Sequence, residues 1–149
     1  MMTTLYETDF NLWIEQTVNQ LKNGEIQDLD LENLIEEIQS MGSNDKREIK
    51  SRLIVLIMHL LKYKYQPKKK TKSWISTIIT QRDELELVLE NSPSLKSFLK
   101  ANISECYQKA RKNAARETKL PLTTFPFFII LYFFHLLLIL NNFLLYCGD

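Results

Sequence analysis

Residues 28–65 read DLDLENLIEEIQSMGSNDKREIKSRLIVLIMHLLKYKY. Two apolar patterns run through this stretch, each with the three- and four-residue spacing of an amphipathic helix. The first is Leu31, Leu34, Ile35, Ile38 and Met41. Asp30 stands before it as a capping side chain, and Gly42 stands after it as a stop. The second restarts near Ser43, runs to about Tyr65, and carries Ile49, Leu53, Leu56, Ile57 and Leu60. Between Leu53 and Leu61 the chain is apolar all round except at His59, which predicts a central helix covered on every side.

The flanking sequence repeats the pattern. Upstream, Phe10, Trp13, Ile14, Val18 and Leu21 predict a first helix that Thr8 caps and Gly24 ends. Downstream, Pro67 and a lysine run make a loop, and a fourth helix is expected from about Ser73 to Glu90. Ser92 and Pro93 are placed to start a fifth, which buries Leu95, Phe98, Leu99, Ile103, Cys106, Tyr107, Ala110 and Ala114. Pro121 and Pro126 close the region. The 149 residues hold three glycines, too few for the turns of a large β-fold. The expectation is all-α: a compact bundle of about five helices, residues 1–126, followed by an apolar tail, residues 127–149.

A net charge of +1 conceals a strong asymmetry. Residues 1–45 carry a local charge of −9 and residues 46–72 a local charge of +9. The simplest reading is that these two segments face each other and pair within the fold; the functional reading is two patches of opposite sign open to partners. Cys106 and Cys147 suggest no disulfide framework, and the polar, acidic start is unlike a secretory signal, so a cytoplasmic location is expected.

Several stretches resemble the bacterial family called domain of unknown function 29, which is common in cyanobacteria. They are Leu5-Tyr6-Glu7-Thr8-Asp9-Phe10, the run from Asp28 to Ile38, Leu56 to Tyr63, Tyr65-Gln66-Pro67 and Ser73-Trp74. Ser92-Pro93-Ser94-Leu95, Leu120-Pro121-Leu122 and Phe125-Pro126 complete the set, so the resemblance covers residues 5–126. It implies an all-helical protein and implies no activity and no catalytic residue.

After Pro126 the resemblance stops. The family pattern continues there as a polar, acid-rich segment, whereas this chain reads FFIILYFFHLLLILNNFLLYC over residues 127–147. Three readings are open. As a helix, those 21 residues would span roughly 30 Å and could anchor the chain in a membrane, with the bases from Lys109 to Lys119 on the cytoplasmic side. They could form a buried core helix, although an all-round apolar helix needs cover on every side. They could also be a shifted reading frame, since Phe, Ile, Leu, Tyr and Asn are what AT-rich codons give out of frame. Left exposed, such a segment is expected to lower solubility.

Little in the chain points to catalysis. The two histidines lie far apart and no metal-binding spacing of Cys, His or Glu occurs, so no metal and no cofactor is expected. No glycine-rich phosphate loop and no Gly-x-Ser-x-Gly elbow is present. His59 is read as a core histidine bonded to a neighbour in preference to a general base. Glu32, Glu36 and Glu37 form one carboxylate cluster, read as a solvated face or one paired with Lys50 or Arg52. With His59 they are the one polar set from which acid–base chemistry could be built.

The strongest contact segment runs from Lys62 to Trp74. Lys62, Lys64, Lys68, Lys69, Lys70 and Lys72 alternate there with Tyr63, Tyr65 and Trp74. Such a mixture can neutralise phosphates and stack on bases, or lie on an anionic membrane if residues 127–149 are genuine. The function expected from all this is a non-enzymatic module that binds a protein partner, or itself, through the acidic and basic helices. The alternative is a nucleic-acid-binding accessory protein that uses Lys62–Trp74.

Overall fold

The computed structural model describes residues 4–127, and every regular element in that span is helical. Five α-helices are present among the described residues: α1 (Leu5–Thr8), α2 (Phe10–Asn23), α3 (Leu31–Tyr65), α4 (Lys72–Asn91) and α5 (Leu95–Thr118). Three single 3₁₀ turns join or follow them at Ile26–Asp28, Pro67–Lys69 and Leu122–Thr124. The all-α expectation holds. The apolar tail from residue 128 onward, with the anchor, core-helix and frame-shift readings attached to it, lies outside the described residues.

The chain divides into two compact units, one up to Asn44 and one from Asp45. In the first, Thr8 is the last residue of α1, and its hydroxyl donates to the Thr4 carbonyl at 3.0 Å. The cap of α2 is therefore Asp9, whose carboxylate accepts from the Leu12 N–H at 3.1 Å. An aspartate one residue later does the expected job better, because its charge also suits the positive end of the helix. Gly24 ends α2 in the left-handed region at φ 75°, and the Glu25 N–H reaches back to the Gln20 carbonyl at 2.9 Å.

This unit is held by polar ties around aromatic rings. Tyr6 stands edge-on to Phe10 and Trp13, with centroids 5.6 and 5.0 Å away, and Phe10 stacks on Trp13 at 5.7 Å. The Trp13 indole donates to Asp30 at 3.2 Å, and Asp30 also accepts from the Asn33 side chain at 2.7 Å. Asp30 thereby caps α3 and fixes the start of that helix against α2. Only Trp13 and Thr17 are buried among the described residues of this unit. The predicted apolar faces are present, but Phe10, Ile14, Val18 and Leu21 on α2 and Leu31, Ile35, Ile38 and Met41 on α3 are exposed.

The expected break at Gly42 is absent, because α3 continues through it as one helix of 35 residues. Gly42 lacks the left-handed backbone that Gly24 has, and no proline follows it. A helical glycine costs about 1 kcal/mol relative to alanine, which the long apolar stripe beyond it outweighs. The helix ends at Tyr65, where Pro67 cannot continue it.

The second unit carries the core. Ile49, Leu53, Leu56, Ile57, Met58 and Leu61 of α3 meet Ile78 and Leu85 of α4 and Leu95, Cys106, Tyr107, Ala110 and Ala114 of α5. Ala110 and Ala114 of α5 are fully buried in this core, and Phe125 joins it at 1% exposure. The segment after α5 is tied down by side-chain donors to carbonyls. Arg111 donates to Phe125 at 2.9 Å and to Leu122 at 3.1 Å, and the Tyr107 hydroxyl donates to Pro126 at 2.8 Å. The start of α5 also differs from expectation. The helix begins at Leu95, after a turn in which the Ser92 carbonyl accepts from the Leu95 N–H at 3.0 Å, and Ser92 is not its cap.

Candidate functional site

The lysine-rich segment divides into an inward and an outward part. Lys62 is buried, lies 2.6 Å from the Glu117 carboxylate, and sits 4.7 Å from the centroid of the Trp74 ring. It ties α3 to α4 and α5 and is turned away from the surface expected for an anion. Lys64, Lys68, Lys69, Lys70 and Lys72 are exposed. The aromatic partners are engaged within the protein: Lys70 lies 3.8 Å from the Tyr63 centroid, and Tyr65 stands edge-on to Phe125 at 5.3 Å with Lys64 over its ring at 5.4 Å. Rings covered in this way present little free face for stacking on bases.

The carboxylate cluster also divides. Glu32 and Glu36 are exposed, one turn apart near the start of α3. Glu37 instead accepts from the Tyr6 hydroxyl at 2.5 Å, a bond that pushes the Tyr6 pKa up to about 12. The same end of the unit holds Asp30 below the usual carboxylate range, chiefly through its bond from Asn33. His59 belongs to the other unit, where its Nδ1 lies 2.9 Å from the Val55 carbonyl. That bond fits a histidine satisfied by its own helix, so neither unit by itself assembles Glu32, Glu36, Glu37 and His59 into one acid–base site.

Within residues 45–127, bases of α3 find carboxylate partners in the same unit. Lys50 binds Glu105 at 2.8 Å, Arg52 binds Glu48 at 2.8 Å and Glu84 at 3.3 Å, and Lys62 binds Glu117. α4 brings Glu84, and α5 brings Glu105 and Glu117, within reach of α3. Glu105 also binds Lys109 at 2.6 Å, and these two ammonium groups, Lys109 foremost, hold its pKa down to about 2. Lys109 is raised in return.

Around this ion cluster lies a feature the sequence reading missed. Lys46, Arg47, Lys50, Ser51 and Ile54 of α3, with Phe98 and Lys109 of α5, line an open groove of about 410 Å³. Its floor is apolar, from Ile54 and Phe98, and its rim is cationic. Lys46 stands 5.6 Å from the Phe98 centroid. The signal in the sequence was Lys46, Arg47, Lys50 and Ile54 at helical spacing, which put three cations along one edge of an apolar position. Beside it Cys106 is buried, and burial pushes its thiol pKa up, the opposite of what a nucleophilic thiolate needs.

Among the described residues no group of His, Cys, Asp and Glu could hold a metal ion, and no helix is long and apolar enough to cross a membrane. What the surface does offer is contact. Leu31, Ile35 and Ile38 stand 50, 53 and 61% exposed in a stripe beside Glu32 and Glu36. Among known proteins, the family described as Domain of unknown function DUF29 matches residues 5–141, most of the chain and past Pro126. No curated protein and no solved structure matches the chain.

Proposed function

The chain belongs to the DUF29 family, and from that premise we propose that it works as a non-enzymatic helical module for protein interaction in the cytoplasm. One observation carries the reading: the α3 stripe of Leu31, Ile35 and Ile38, which a helical unit of ordinary construction would bury, is half exposed or more. Large exposed apolar patches rimmed by polar groups mark interaction surfaces. Amphipathic helices bind in this manner, with anchors at the first, fourth or fifth and eighth positions of two helical turns. The covered aromatic rings of the lysine segment weigh against nucleic acid as the partner.

The test is capture from the native cell. The tagged full chain and its Ile35→Asp/Ile38→Asp variant are expressed at equal level, cross-linked gently, recovered, and their companions quantified by mass spectrometry. A defined set of proteins, the chain itself included, should be recovered with the native form and fall by about tenfold or more with the variant, as befits loss of central apolar anchors. Equal recovery from both forms would overturn the reading.

A further inference from the structure

The charge pattern of the two surfaces just described identifies the partner by its chemistry. On α3, Leu31, Ile35 and Ile38 form an apolar stripe, and Glu32 and Glu36 run alongside it one turn apart. The groove between α3 and α5 has the complementary construction, with Ile54 and Phe98 as an apolar floor and Lys46 and Arg47 on an exposed rim. A helix that fits such a groove must bring apolar side chains to the floor and carboxylates to the rim. The sequence 31–38 meets both requirements, and the −9 and +9 segments of the chain set the long-range field in the same sense.

We propose that the occupant of the groove is the acidic, apolar face of residues 31–38 from a second copy of this chain. The proposal rests on the interaction-module reading above and names its partner. Two copies related by a two-fold axis make the contact twice, each giving its acidic stripe and receiving the other's. Contact of this kind buries apolar side chains that each copy leaves in water and pairs charges that each copy leaves at the surface, while like-charged registers are repelled.

The experiment uses two full-length chains with different tags, co-expressed, one tag captured and the other quantified. In form A, Glu32→Lys and Glu36→Lys make the stripe basic. In form B, Lys46→Glu and Arg47→Glu make the groove rim acidic. These four side chains are exposed, and circular dichroism checks that the variants keep native helicity. Native chains should capture each other. A with A, and B with B, should fall about tenfold or more, because every contact is then between like charges. A with B should recover, because basic stripe meets acidic groove and acidic stripe meets basic groove. That recovery also shows that both variants fold.

Native chains that do not capture each other would overturn the proposal. So would A–A and B–B capture at the native level, which would place self-association on another surface such as the apolar tail, and so would failure of A with B. Companions that include no second copy of the chain, lost with Ile35→Asp/Ile38→Asp, would overturn self-pairing and leave the interaction module standing. Absence of any companion would remove both.

Discussion

Gly24 and Gly42 are the same residue in opposite circumstances. Gly24 is at φ 75°, with nothing within 4 Å of where a Cβ would stand, so its role is conformational and not steric. Gly24→Ala should therefore destabilise by about 1 kcal/mol, the cost of a left-handed L-residue. Gly42 has equally open surroundings and lies inside a helix. Gly42→Ala should stabilise by about 0.5–1 kcal/mol. Chemical denaturation of the two variants checks both signs, and a destabilising Gly42→Ala would contradict the continuous helix. Sequence alone did not separate these residues. Each follows an apolar helical pattern, and the difference lies in whether the next residues turn back, as Glu25 does to Gln20, or carry the pattern onward to Ile49.

Among the helices, α3 and α5 are joined through two carboxylates, Glu117 on Lys62 and Glu105 on Lys50. Glu105 binds Lys50 of α3 and Lys109 of α5, and its pKa in the fold is about 2, against an ordinary value of 4.5. A depressed pKa means that the folded state favours the charged form. The stabilisation is complete above about pH 4.5 and is lost as pH falls toward about 2. The melting temperature of the native chain should fall across that window, and Glu105→Gln should flatten the fall. A variant whose melting temperature drops as steeply as the native one would show that the pair does not bear on stability. Because Glu105 is well exposed, solvent screening keeps the effect small. Helix existence and most apolar faces were legible in the periodicity. The groove was not, because its lining comes from two helices far apart in sequence, and the lysine run drew notice through its density. Lys62 shows why density misleads: it is a member of the run by sequence and a buried tie by structure.

The two units of the chain are stabilised very differently. Residues from Asp45 to Phe127 share one core built from three helices and Phe125. Residues 4–44 bury only Trp13 and Thr17 among those described, and rely on the Tyr6–Glu37 and Trp13–Asp30 bonds. A unit of that size with so small a core is marginal by itself and gains from any surface that covers it. The all-α architecture could be foreseen from composition and spacing. The exposure of the first unit could not, since an apolar stripe reads the same whether its cover lies in the same chain or in another. The proposed source of that cover is a second copy, and amide hydrogen exchange on the full chain, resolved by segment at low and high protein concentration, reads it out. Residues 49–61 should exchange slowly at both concentrations, while residues 31–41 should exchange fast when dilute and become protected when concentrated. Equal exchange of residues 31–41 at the two concentrations would contradict the claim.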